Sequence, residues 1–181
     1  MQDRIRPGSA ATPDSALKWV IAPERSQVLL DYWRNDKPAG GHFARFAGEG
    51  VFDLDAPGDA TLELRIESGS IDLDNAFDDA LVTSAEWFDS IDHPLIVYRL
   101  LELTPEGGNR FLAKGELTIK GRTRPTENAI TFEIGDDEAL TIGSLRLNRK
   151  DYRLGSGLSS LFVKFGREVV VRIDLTAHPV R

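Results

Sequence analysis

Apolar and polar side chains alternate with period two through most of the chain from residue 19 onward, and that pattern leaves few folds open. Successive side chains of a strand point to opposite faces, so this alternation buries one face and wets the other. Residues 26–32 place Val28, Leu30 and Tyr32 on one side, and residues 61–67 set Leu62, Leu64 and Ile66 against Glu63, Arg65 and Glu67. Residues 43–52, 95–100, 111–120, 126–134, 142–148 and 168–176 read the same way, giving about eight or nine strands. Gly, Pro, Asn and Asp clusters at 55–59, 105–109, 135–137 and 155–157 supply turns between them. Hairpins at this spacing predict an all-β protein, a closed barrel or a sandwich, and closure removes edges that invite aggregation. The one helical pattern is 77–89, where Phe77, Leu81, Ala85 and Phe88 recur at three- and four-residue steps, as one helix or two short ones. Glycines at 40, 41, 48 and 50, beside or inside a strand, predict a bend or bulge.

A chain of 181 residues is sized for one domain. Residues 1–17, with Pro7, Gly8 and Pro13 and no periodicity, read as a flexible leader, and the domain is expected at 18–178. The leader has no apolar stretch of the secretory kind, and no apolar run approaches the roughly 20 residues of a membrane-spanning helix. A net charge of −7 disfavours nucleic acid as a partner. Lys120, Arg122 and Arg124 read as a solvated turn. The absence of cysteine excludes disulfides, thiolate ligands and a cysteine nucleophile.

Residues suited to catalysis do not assemble into a pattern. His42, His93 and His178 lie far apart and outside any HExxH spacing, so no metal site is predicted. The Gly155 to Ser159 stretch is not a G-x-S-x-G elbow and reads as a loop, and neither Gly-rich phosphate motif occurs. Asp78 and Asp79 suit a first helical turn, and Asp136 and Asp137 a hairpin tip. No catalytic residue or cofactor is therefore assigned. What stands out is large apolar material on nearly every strand, with Trp33, Phe43, Phe46, Phe52, Trp87, Phe88, Tyr98 and Phe132 among it. In a small barrel such side chains either fill the interior or line a cavity for one apolar ligand, and alternation is compatible with both.

Several motifs in order carry a resemblance. They are Trp19-Val-Ile-x-Pro-x-x-Ser26, Gly41-x-Phe43-x-x-Phe46-x-Gly48, Ser70-Ile71-Asp72, Leu81-x-x-Ser84-x-x-Trp87-Phe88-Asp89 and His93-Pro94-x-Ile96-x-Tyr98. Gly115-Glu-Leu-Thr-Ile-Lys-Gly121 with Thr123-Arg-Pro125, and Leu147-Asn-Arg-Lys-Asp-Tyr-Arg-Leu-Gly155, complete the series. Over 19–177 the chain resembles the YceI family of polyisoprenoid-binding, lipocalin-like proteins. The resemblance implies an eight-stranded antiparallel lipocalin-like barrel with a short helical segment and a long apolar pore. It implies binding, sequestration or transport of an isoprenoid lipid of the polyprenyl or ubiquinone type, no reaction, and a periplasmic location. The alternative is a ligand-free structural or interaction domain whose interior is filled. A homodimer is compatible with either.

Combined with the alternation, this makes the candidate ligand-binding residues Val28, Leu30, Tyr32, Phe43, Phe46, Leu64, Ile66, Ile96, Tyr98, Leu117 and Ile119. Phe132, Leu145, Leu147, Val171 and Ile173 extend the set on the later strands, with Leu62, Ile130 and Val169 also inward. The helical segment, through Phe77, Leu81, Trp87 and Phe88, is expected to cap or wall the barrel. Arg149 and Asp151 are expected to pair across a bend as a surface ion pair. The chain departs from the family pattern at Arg25, where members commonly carry histidine, and in an insertion-like run from Trp33 to Pro38.

Overall fold

A computed structural model describes residues 17–53 and 55–181. The leader expected at 1–17 lies outside the described residues but for Leu17, which opens the first strand. The strands are β1 (Leu17–Ile21), β2 (Gln27–Arg34), β3 (Lys37–Phe43), β4 (Phe46–Phe52), β5 (Thr61–Glu67), β6 (Ile71–Asp72), β7 (Leu95–Gly107), β8 (Arg110–Ile119), β9 (Arg122–Ile134), β10 (Ala139–Asn148) and β11 (Glu168–Pro179). One helix, α1 (Ala76–Thr83), interrupts them.

These segments make an eight-stranded closed antiparallel barrel. β1 and β2 are two halves of one bent strand: the 3-10 turn Pro23–Arg25 lies between them, and both lie along β11. β3 and β4 form a second bent strand paired to the first, β2 with β3 and β1 with β4. The ring then runs β4, β5, β7, β8, β9, β10 and β11, and closes where Trp19 of β1 sits opposite Pro179 of β11. Beyond the seam, the Val180 amide donates to the Lys18 carbonyl at 2.8 Å.

Local chemistry accounts for the corners. The β2–β3 turn has Asn35 and Asp36 at φ 50° and 62°, the left-handed pair that a two-residue hairpin requires and that Asn and Asp tolerate best. The run from Trp33 to Pro38 is thus the tip of this hairpin. The expected bend falls between β3 and β4 at Ala44 and Arg45, and the glycines serve the wall instead. At Gly50 a β-carbon would collide with the Thr61 carbonyl oxygen of the neighbouring strand, so only glycine permits that approach.

Helix α1 is shorter than the 77–89 periodicity suggests. Asn75 caps it, its side chain accepting from the Phe77 and Asp78 amides at 3.0 and 3.1 Å. Ser84 ends it by leaving the helical conformation while its hydroxyl bonds back to the Leu81 carbonyl at 2.6 Å. The residues that follow turn back on the helix, with Phe88 and Ser90 amides bonded to the Val82 and Thr83 carbonyls. Phe77, expected against the barrel, lies in the first turn on the outer face and is 58% exposed, while Val82 is buried.

The core falls into two clusters stacked along the barrel. The larger gathers Val28, Tyr32, Phe43, Phe46, Leu117 and Ile119 beneath Val82, Trp87, Leu154 and Phe165 at the helix end. The smaller gathers Trp19, Phe52, Leu103, Phe111, Ala113 and Ala139 at the other end. Among the described residues no helix is long and apolar enough to cross a membrane.

Candidate ligand-binding site

Two apolar spaces remain inside the barrel. The larger, about 150 Å³, reaches from Leu64, Tyr98 and Leu145 to Trp19, Phe52 and Ala139 at the end away from α1. The smaller, about 60 Å³, lies under α1 between Leu30, Tyr32, Trp87, Phe88 and Phe165. Strand β11 forms a wall common to both, with Val169 on the smaller space and Val171, Ile173, Leu175 and Ala177 on the larger. At about 3.3 Å per residue, that row of alternate side chains runs about 26 Å.

Glycines on the strands around the larger cavity let side chains of its wall lie flat against the neighbouring backbone. Gly48 faces Ile21, Gly115 faces Tyr98 and Gly143 faces Ile130, each so closely that a β-carbon would overlap the side chain opposite. Ala60, Ala113, Ala139 and Ala177 add further short side chains to its wall. The described residues lining it include no carboxylate, imidazole, amine or guanidinium. Its polar contributions come from Thr61, Asn128, Thr141 and Ser144, the Tyr98 hydroxyl and the Trp19 indole, whose Nε1 is buried without a hydrogen-bond partner. Burial pushes the Tyr98 hydroxyl up from its ordinary pKa, with Thr126 offsetting part of the rise, so the phenol stays neutral at physiological pH. Uncharged walls of this kind hold apolar matter and offer little to a proton-transfer or metal-assisted reaction. No group of three or more His, Asp or Glu suited to a metal occurs among the described residues.

The smaller cavity contains a charge. Arg149 is 8% exposed and does not pair with Asp151, correcting the expectation of a surface ion pair. Its guanidinium donates to the carbonyls of Leu154 (2.6 Å), Gly166 (2.8 Å), Phe165 (3.0 Å) and Gly155 (3.3 Å), and stacks 5.0 Å from the Trp87 ring. The 148–155 segment curls back and turns the side chain inward, where the planar fork meets several carbonyls at once. Desolvation, and then Arg167, lower its pKa, yet a guanidinium remains charged. Nearby, Arg34 clamps α1: its guanidinium donates to both oxygens of Asp78, which is 1% exposed, at 2.5 and 3.0 Å. Replacing Asp78 with alanine is expected to cost about 2 kcal/mol, because the guanidinium keeps access to water. Chemical denaturation, with protease susceptibility near 76–90 as the local readout, checks it.

The family model for a YceI-like domain matches residues 19–177. The chain belongs to the YceI-like family. A UPF0312 protein of Vibrio cholerae is 27% identical over 118 residues, spanning 62% of this chain and 62% of that one. A UPF0312 protein of Shewanella denitrificans is 25% identical over 137 residues, 72% of each chain. Among solved structures, BcnA of Burkholderia cenocepacia superposes with a TM-score of 0.79 at 23% identity, covering 86% of this chain and 98% of that one. A polyisoprenoid-binding domain from Saccharophagus degradans, described as implicated in plant cell wall breakdown, gives 0.71 at 13% identity, covering 91% and 99%. These likenesses show the fold.

Within this YceI-like barrel the candidate residues divide. Leu64, Tyr98, Phe132, Leu145, Val171 and Ile173 line the larger cavity. Leu30, Tyr32, Trp87 and Phe88 line the smaller. Val28, Phe43, Phe46, Ile66, Ile96, Leu117 and Ile119 are buried in the larger core cluster, with Leu81 and Leu147 packed on it. That last group faces inward as expected but forms packing rather than the wall of either space. Sequence reasoning missed Trp19, Phe52, Leu103 and the four alanines of the larger cavity, and Leu154, Phe165 and Arg149 of the smaller. Trp19 alternates with Ile21 in the opening motif and Phe52 closes the 43–52 strand, so both were legible in the same period although the binding set left them out.

Proposed function

We propose that this protein binds and carries an isoprenoid lipid, its apolar chain seated in the barrel, and catalyses no reaction on it. The observation behind this reading is the larger cavity itself: about 150 Å³ with no ionisable group among its described residues except the neutral Tyr98 phenol. An apolar cavity of that volume holds a ring-sized hydrocarbon, and each CH₂ moved into it from water is worth about 0.8 kcal/mol. A longer chain follows the β11 wall toward the smaller cavity by displacing side chains packed between the two. The binding of polyisoprenoid by the Saccharophagus degradans domain of the same fold supports the choice of ligand.

The test is native mass spectrometry of the purified protein, followed by organic extraction and titration with polyprenols and quinones of graded chain length. A bound isoprenoid mass, or saturable uptake, supports the reading. An apo mass that no isoprenoid shifts overturns it in favour of a side-chain-filled barrel. Val171→Trp adds bulk where the wall faces the larger cavity, and is expected to weaken uptake about tenfold or more, the equivalent of about 1.4 kcal/mol, while the thermal midpoint changes little. Competition against a fluorescent apolar probe measures it.

A further inference from the structure

At the helix end of the barrel, the turn Leu158–Leu161 and the residue after it expose three large apolar side chains. Leu158, Leu161 and Phe162 are 72%, 76% and 77% exposed. Single exposed apolar residues are ordinary on a protein surface, but a contiguous set marks a contact surface. The turn is held in this position. The Glu86 carboxylate accepts from the Leu158 and Ser159 amides at 2.7 and 3.0 Å, and Ser159 is buried with its hydroxyl accepting from Trp87 Nε1 at 3.0 Å. Anchored on both sides of Ser159, the turn points its leucines outward although the apolar interior lies one side chain beneath.

A second observation says what such a surface meets. In a chain of net charge −7, many cations are paired with carboxylates, but Lys120, Arg122, Arg124 and Arg153 form no ion pair among the described residues. Lys120 and the segment that follows Arg153 are tied to residues 85–86, which hold the turn: the Gly155 amide donates to the Glu86 carbonyl at 2.8 Å. Lys120 Nζ donates to the carbonyl of Ala85, next to Glu86, and Arg124 Nε reaches the Asp151 carbonyl at 3.4 Å. Arg122 lies close enough to Arg153 and Arg124 for each to oppose its charge. The Glu86 carboxylate accepts from two backbone amides of the turn and feels the Lys120 charge, while Asp151 lies beside Arg124. Cations without an ion pair, beside exposed leucine and phenylalanine, match a surface that is anionic outside and hydrocarbon inside.

We infer that the turn Leu158–Leu161 with Phe162, fringed by Lys120, Arg122, Arg124 and Arg153, docks this barrel on the surface of an anionic lipid bilayer. The apolar side chains enter the acyl boundary and the guanidinium groups meet lipid phosphates, with the helix end of the barrel facing the membrane. This surface lies outside both cavities, so its test is independent of which ligand the barrel holds.

The test is co-sedimentation of the full chain with vesicles of phosphatidylcholine alone and of phosphatidylcholine mixed with phosphatidylglycerol. The wild-type protein is expected to partition at least about tenfold more strongly onto the mixed vesicles, a preference that added salt reduces. Leu161→Asp with Phe162→Asp is expected to abolish partitioning, and Arg122→Gln with Arg153→Gln to remove most of the preference for anionic lipid. Leu161, Phe162 and Arg153 are exposed and Arg122 is half-buried, and an unchanged thermal midpoint confirms that the fold is kept. Failure of the wild-type protein to sediment with either vesicle overturns the inference, as does equal partitioning of the aspartate variant. Self-association in analytical ultracentrifugation that the aspartate variant loses, without vesicle binding, also overturns it by assigning the turn to a second copy of the chain.

Discussion

Arg149→Ala is expected to destabilise the fold by about 4 kcal/mol, the largest loss from any single side chain described here. The guanidinium satisfies carbonyls from two separate segments, 154–155 and 165–166, of which the second makes only an isolated bridge to β2. Truncation leaves those oxygens buried and unpaired, at about 1 to 3 kcal/mol for the least accessible, and empties the space beside Trp87. Arg149→Ala leaves no charge behind, so the loss is that of several unpaired carbonyls and the vacated volume, together about 4 kcal/mol. Arg149→Lys is expected to recover less than half of the loss, since an ammonium presents a point charge where a planar fork is needed. Urea unfolding followed by tryptophan fluorescence checks both variants, because Trp87 loses its stacking partner at the same time. An arginine variant within about 1 kcal/mol of wild type would show that water replaces the side chain without cost.

Gly50→Ala is expected to cost about 3 kcal/mol, at the upper end of what overpacking does elsewhere. The added methyl collides with the carbonyl of Thr61 and comes to 3.2 Å from the Leu62 Cα, both backbone atoms of the paired strand. A flexible side chain yields to such an intrusion, but here β4 and β5 must separate beside the larger cavity. A domain of this size loses about 2 to 4 °C per kcal/mol, so the thermal midpoint should fall by about 10 °C. Gly58→Ala is the matched control, because a β-carbon there meets nothing within 4 Å.

Both predictions concern residues that alternation undervalues, and that explains where the sequence was readable. Period two located β2, β5, β8, β9 and β11 and put Leu64, Phe132, Val171 and Ile173 on the inner face, because each of those strands has one dry side and one wet side. Alternation cannot distinguish a side chain that borders empty space from one that fills it, so Leu117 and Ile119 were grouped with Leu64 although they pack solidly. Cavity volume depends on what is missing. Gly50, Ala60, Ala113, Ala139 and Ala177 have little or no hydrophobic weight, yet their small size makes the room. Arg149 misled for the opposite reason, because a cation in a loop is normally solvated and only the fold brings several carbonyls around it. Leu154 and Phe165 belong to a segment without period, so their burial follows from the path of the loop.

The seam between β1 and β11 joins the earliest and latest strands of the described chain, Trp19 against Pro179. In synthesis from the N-terminus, closure waits for the latest of these strands. Hairpins from β2 through β10 can pair as they emerge, but β11 has to arrive before β2, β10 and β1 gain their shared neighbour. Until then the nascent sheet presents two open edges and an apolar concave face, which is the state in which β proteins aggregate. The concave face proposed to receive a ligand is therefore open to water until β11 pairs.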